Sequence, residues 1–280
     1  MAGRAPHPPA GQVTDQDGPS EANTAGDAPA RDDMSAASEP VALPDTPVAS
    51  REIRRYKAAV SVGAMALGWA NMEKAPSGAA VVVDHEVSPL GRLGQPWLAP
   101  ATSTLAFAVV LRPQLSAEEA DVPWLVAALA VADGIEAADE RPTRAAWPDQ
   151  VIDEDGGLRA QVRCDVQLGP GKVRVAVASV RLDVTDGPDP ERRERLLTAV
   201  CEQLDRRTAE LAEGVAGPLA AYEKRCSTLG HNLKLRLVPR GELRGHAVAI
   251  DPLGRLELRS ATGMVERVSV NMVRALEVLA

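Results

Sequence analysis

Two long alternating runs around one tight turn constrain this chain more than anything else in it. Residues 157–168 read GLRAQVRCDVQL and residues 172–184 read KVRVAVASVRLDV, with GPG at 169–171 between them. In both runs apolar residues recur at every second position, the period of a strand with one face in a core. Gly-Pro-Gly between two such runs is a hairpin signature. A hairpin this long commits the chain to a sheet with an antiparallel centre, and the remaining segments must cover its apolar face.

Those segments are legible in part. GAAVVVDHE (78–86) reads as a short buried strand opening on glycine, and STLAFAVVLRP (103–113) as a second, stopped by Pro113. Between 116 and 138, Ser116 and Glu119 form a capping-box pair, and Trp124, Leu125, Ala128, Leu129 and Ala132 keep helical spacing, with the regular helix starting near Pro123. Asp189 and Pro190 cap a long helix with Leu196, Leu197, Val200 and Leu204 on one face. Gly214 and Gly217-Pro218 interrupt it before a last helical piece ending near Cys226. Beyond CSTLGHN come only short strands, LKLRLV, RGHAVAID, GRLELRS and MVERVSV, separated by glycine turns, a pattern that suits a small SH3-like barrel. The ERRERLL run at 191–197 reads as a solvated helix face.

Composition sets the outer limits. Among 280 residues, 45% are hydrophobic but only 2% aromatic, so the core is built from Ala, Val and Leu. Residues 1–50 carry eight prolines, one leucine, and two arginines against eight acids, which makes them an acidic tail too poor in apolar surface to offset its ordering entropy. That segment holds −6 of the net charge of −8 and leaves −2 for residues 51–280. No basic face is implied, so nucleic acid is not an expected partner. Neither is a membrane, since no apolar run is long enough to span one. Cys164, Cys201 and Cys226 form no CxxC and no Cys/His set at metal spacing, so no metal site is expected, and free thiols fit a reducing cytoplasm.

The order of the pieces carries a resemblance. A strand leads into a Gly/Arg loop closed by tryptophan, EVSPLGRLGQPW at 86–97; a strand and a helix follow, then AAWPDQV at 145–151, the hairpin, the long helix, YEKRCSTLG, and GHAVAIDPLGRLELR at 245–259. From about residue 55 onward the chain resembles the biotin–protein ligase family, most specifically at its C-terminal segment. The resemblance implies an α+β fold: a biotin/lipoate-ligase-like catalytic domain with a mixed β-sheet (51–226) and a small SH3-like C-terminal domain (227–280), preceded by the tail (1–50). It also implies a chemistry in which biotin and ATP, with Mg, form biotinyl-adenylate, and biotin then passes to a lysine of a carrier domain. Some members carry a DNA-binding winged helix ahead of the catalytic domain; the acidic tail takes that place here, and no repressor role is expected.

That chemistry gathers negative charge at an anionic centre, so cations must be placed in advance. The family's adenylate loop, Q-x-x-G-R-G-R-x-G-R-x-W, falls on Glu86 to Trp97. Gly91, Arg92, Gly94 and Trp97 are retained, whereas the loop's first glycine is Pro89, its other two arginines are Leu90 and Gln95, and its glutamine is Glu86. The family's K-W-P-N-D falls on Ala146, Trp147, Pro148, Asp149 and Gln150, so its lysine is lost and no catalytic residue is assigned. The small-residue strand G-K-x-A-G-I-L-x-E is matched by residues 157–165, with Gln161 and Arg163 adding bulk, and G-x-G-x-N-V by residues 179–184, with Arg181 at the second glycine; the family's G-D-V is Asn271, Met272 and Val273. Glu86, Gly91, Arg92, Gly94, Trp97, Trp147 and Asp149 thus form a vestigial biotin/ATP site by resemblance.

Three missing cations and one added acid make four charge units in the wrong direction. Two uncompensated contacts alone would raise the barrier by roughly 3–6 kcal/mol, a factor of about 10² to 10⁴. Arg144, Arg159, Arg163 and Arg181 are the residues available to compensate. Trp97, Trp124 and Trp147 read as core fillers, and His85, His231 and His246 carry no catalytic role. The expectation is a pseudoenzyme with a binding or regulatory role toward a biotin carboxyl carrier domain, a carboxylase subunit or a true ligase, with a homodimer as a further partner state. The alternative is an active ligase with a rebuilt site, and a third class is a small-molecule sensor using the emptied pocket.

Overall fold

In the computed structural model, residues 51–97, 103–139, 141–185 and 189–279 are described; the expected tail at 1–50 lies outside them. The long hairpin is the spine of a seven-stranded sheet. Its strands are β1 (Ile53–Ala59), β2 (Ala80–Glu86), β3 (Thr104–Leu111), β4 (Thr143–Ala146), β5 (Gln150–Asp153), β6 (Leu158–Gly169) and β7 (Lys172–Asp183). They lie in the order β1-β2-β3-β7-β6-β5-β4, with β1 and β2 parallel and every other neighbour antiparallel. The alternation read in the hairpin is obeyed. Ala160, Val162 and Cys164 of β6 are buried on one face, while Gln161, Arg163 and Asp165 point to the other.

Helices cover both faces. On the first lies α1 (Val62–Met72), whose Val62, Ala66, Trp69 and Ala70 pack on Val81, Val83, Ala108, Val110, Val175 and Val177. The second carries α2 (Val122–Asp139), α3 (Pro190–Glu210) and α4 (Ala216–Arg225). α2 lies between the sheet and the other helices and is buried almost all round, with thirteen residues from Val122 to Ile135 inside. That explains its unbroken apolar run, which a surface helix would not tolerate. α3 shows the expected Asp189 cap, its side chain accepting from the Glu191 N–H, and the expected face of Leu196, Leu197, Val200 and Leu204. Its ERRERLL start is not simply a solvated face. Arg192 pairs with Asp139, Arg193 donates to the Thr104 carbonyl, and Glu194 holds Arg55 at 2.7 and 2.8 Å.

The expected all-β C-terminal part is a five-stranded antiparallel sheet of β8 (Asn232–Leu237), β9 (Glu242–Ile250), β10 (Leu256–Arg259), β11 (Val265–Val268) and β12 (Val273–Leu279), ordered β11-β10-β9-β8-β12. Its inner residues, among them Leu233, Leu235, Leu256 and Val273, belong to the same hydrophobic cluster as α2 and α3. Polar ties fix its place. Glu223 of α4 accepts the Ile250 N–H at 2.7 Å, and Ser269 donates to Asp121, ahead of α2, at 2.9 Å. Among the described residues no helix is long and apolar enough to cross a membrane.

Candidate functional site

The loop after β2 lies over the α1-side face of β6 and β7. Its hydrogen bonds are mostly its own: the Gly91 N–H reaches the Gln95 carbonyl at 2.7 Å, and the Trp97 N–H the Pro89 carbonyl at 2.8 Å. Side chains then tie it to three other elements. Arg92 turns inward, 8% exposed, and its Nε donates to the buried Asp149 at 3.2 Å. Gln95 donates to the Arg274 carbonyl on β12 at 3.0 Å, and the Trp97 Nε1 donates to Thr104 on β3 at 3.3 Å. Gly91 sits so close to Gln161 that a Cβ there would meet its amide at 2.9 Å. Leu90 remains 37% exposed on the outside of the loop.

AAWPDQV lies across β4 and β5, and the C-terminal segment anchors it. The Ser227 N–H donates to the Ala145 carbonyl at 2.8 Å, and Thr228 lies 3.5 Å from the Trp147 carbonyl. Trp147 is 2% exposed and Trp124 4%, as core residues should be, whereas Trp97 is half-buried. Burial raises the Asp149 carboxyl above the ordinary aspartate range, against the opposing pull of the Arg92 guanidinium and the hydrogen bonds of Arg92 and Gln161. Ala146 is half-buried at the end of β4. Sequence-predicted residues Gly91, Arg92 and Asp149 are therefore brought together, while Leu90 and Gln95, where the family has arginines, face away toward solvent and β12.

Glu86 behaves differently from the sequence expectation. Its carboxylate is buried at the N-terminus of α1, where it accepts the Val62 N–H at 2.8 Å. It also accepts two hydrogen bonds from Arg181, Nε to Oε2 at 2.8 Å and Nη2 to Oε1 at 3.0 Å. The two side chains are 4% and 1% exposed. Helix dipole and guanidinium together neutralise this acid. It is therefore not an extra negative charge facing the site, and the charge deficit is the three missing cations. Next to the pair, Gly63 of α1 stands directly on β7: a Cβ there would lie 2.4 Å from the Ser179 Oγ. The first turn of α1 thus presses on the strand at the position of the family's small-residue motif.

The four compensating arginines are otherwise engaged or remote. Arg181 is held by Glu86, and Arg163 by Asp165 at 2.7 Å. Arg159 lies 3.7 Å from Asp139, which Arg192 also binds, and Arg144 is exposed on β4. Sequence reasoning missed Ser61, the N-cap of α1, and the contact of Gly63 with Ser179. The only signal for either was a serine and two small residues after an edge strand. His85, His231 and His246 are all exposed.

No family model matches the chain. Sequence relatives exist nonetheless. It is 24% identical over 210 residues to the bifunctional ligase/repressor BirA of Bacillus spizizenii, which covers 68% of this chain and 64% of that protein. It is 28% identical over 198 residues to the biotin–[acetyl-CoA-carboxylase] ligase of Mycobacterium tuberculosis, covering 64% of this chain and 72% of that one. The fold agrees. A biotin protein ligase from Aquifex aeolicus, in complex with biotin and ATP, superposes with a TM-score of 0.63 at 19% identity, over 81% of this chain and 99% of that one. The chain is similar in sequence, and alike in fold, to the biotin–protein ligases. It spans 64% of the length of the BirA proteins it matches. A biotin protein ligase-like protein of unknown function from Silicibacter shares the fold with a TM-score of 0.61 at 14% identity. Biotin–protein ligase folds therefore accommodate very different sequences on one sheet, and function has to be argued from the residues on it.

Proposed function

We propose that this chain is a biotin–protein ligase-family protein whose adenylation site no longer makes biotinyl-adenylate, and that it acts by binding. The observation that carries this reading is the buried Glu86–Arg181 pair. Arg181 stands where the family motif has a glycine, and its side chain fills the sheet face on which the resemblance puts the biotin ring. Gly63 on Ser179 and Gly91 on Gln161 tighten the same face. The residues present do not fit a bound biotinyl-adenylate. The retained Arg92 is already partnered by Asp149, and Ala146 offers no charge in place of the family lysine.

In this reading the retained scaffold serves recognition. The partner is a biotin carboxyl carrier domain, a carboxylase subunit or an active ligase, met in the cytoplasm, with a second copy of the chain as a further partner. The catalytic-type domain spans 51–226, and 227–280 forms the SH3-like barrel beside it. One observation favours the alternative, an active ligase with a rebuilt site: the Arg92 Nη1 is buried without a partner. Incubation with labelled biotin, ATP, Mg²⁺ and a carrier domain separates the two. The binding reading expects no transferred label and recovery of one of the three partners by pull-down. Label on the carrier at the rate of an ordinary ligase refutes it.

A further inference from the structure

The C-terminal sheet carries a cleft of its own, of about 390 Å³, lined from β8, β9, β10 and the end of β12. None of its lining residues belongs to the loop after β2, to β6 and β7 or to AAWPDQV. Strand register builds it. Arg259 on β10 stands opposite His246 on β9, and His246 opposite Asn232 on β8, so three exposed polar side chains form one row across three strands. Arg244 lies two residues along β9 on the same exposed face. Gly245 between them has no room for a side chain, because a Cβ there would meet the Arg259 carbonyl at 2.5 Å. Asn232 holds the His246 ring, its Oδ1 lying 3.3 Å from Nδ1, which leaves Nε2 for a ligand. Ser260 closes one end, its hydroxyl 2.8 Å from that of Thr262.

Charge marks this cleft out. Residues 227–280 hold eight Arg and Lys against five Asp and Glu, a net +3 in a chain that is acidic elsewhere. Among the described residues no carboxylate lines the cleft, and Arg259 has no ion-pair partner. Arg244 meets only the exposed Glu242, at 2.9 Å, a surface pair worth little. We propose that this cleft binds a phosphate monoester, its oxygens on Arg259, Arg244 and His246 and its organic part against Ala261 and Leu279. A phosphoryl group presents three oxygens in different directions, which suits donors arriving from two strands and a turn. A carboxylate presents two in one plane and is served by a single guanidinium. The ester is either free or carried on a side chain of another protein. The site uses none of the adenylation residues, so the inference stands apart from the function proposed above.

Amide NMR on the full chain tests it, at about 0.15 M salt, where diffuse surface attraction is largely screened. The probes are phenyl phosphate, benzoate as its carboxylate counterpart, and a phosphoserine tripeptide. Phenyl phosphate should shift the Gly245 and Ser260 amides saturably, with a Kd of about 1 mM or tighter. Benzoate should bind at least about fivefold more weakly. Arg259→Gln and Arg244→Gln change exposed residues outside the core, and each should weaken phenyl phosphate at least about tenfold, the loss of one charge-assisted contact. A tripeptide that binds more tightly than phenyl phosphate assigns the ester to a protein partner, and one that binds more weakly assigns it to a free small molecule; either supports the site. No saturable shift at those amides up to about 20 mM phenyl phosphate overturns the proposal. So does benzoate binding as tightly as phenyl phosphate, or binding unchanged in both arginine variants.

Discussion

Breaking the Glu86–Arg181 pair from one side should hurt far more than replacing both members. Arg181→Met leaves the Glu86 carboxylate at 4% exposure with only the Val62 N–H, and Glu86→Gln leaves a guanidinium at 1% exposure facing a neutral amide. Stranding one partner of a buried ion pair costs about 3–5 kcal/mol, because the surviving charge is desolvated and unmatched. The double replacement strands nothing. The amide still accepts from Val62, and methionine keeps most of the volume of arginine, so the pair of changes should cost less than either alone. In a folded unit of this size each single variant should lower Tm by roughly 6–20 °C. The assay is a double-mutant cycle by urea unfolding, read at constant m. Single variants each within about 1 kcal/mol of wild type, with additive effects, would refute the pairing, since surface charges behave in that way.

Other consequences are simpler to read. Gly63→Ala should destabilise by about 1–3 kcal/mol, because its methyl would lie 2.4 Å from the Ser179 hydroxyl, and Ser179→Ala should rescue it in the same denaturation assay. Asp149→Asn should look better as pH rises. Burial holds the folded carboxyl above its ordinary 3.8, so the native state keeps the proton longer than the unfolded chain, and wild-type stability falls from about pH 4 through the raised value, then levels. Unfolding the two proteins across that range should give a stability difference that moves toward the variant; a movement the other way would contradict the assignment. All three thiols are buried, with Cys201 pushed up to about 12 and Cys164 higher still by desolvation. A thiol reagent at pH 8 should therefore find none in the native protein and all three after denaturation.

Much of the fold was legible because local rules agreed with the final packing. The β6–β7 hairpin, β2, β3 and the capped α3 each bury one face, and alternation or helical spacing records that directly. β1 and α1 escaped notice for physical reasons. β1 is an edge strand whose RRYK centre alternates no apolar face, and α1 is rich in alanine and glycine because it lies close on the sheet. β4 and β5 are four residues each, too short to show a period. The site was legible as a set of residue types but not as a set of pairs. Glu86 and Arg181 are 95 positions apart. Only the register of β2, β3 and β7 brings them together and turns an apparently repulsive acid into half of a neutral pair. The roles of Arg192 and Glu194 were hidden in the same way, since their partners Asp139 and Arg55 lie on other elements.

The central claim is that three absent cations leave this site unable to stabilise an acyl-phosphate. Isothermal titration with biotin and ATP, on the wild-type chain and on one carrying Ala146→Lys, Leu90→Arg and Gln95→Arg together, tests it most directly. The account predicts no ATP-dependent biotin heat for the wild type and, in the triple variant, a gain in ATP heat while Arg181 still excludes the biotin ring. Tight, ATP-coupled biotin binding by the wild-type chain, unimproved by the three substitutions, would contradict it.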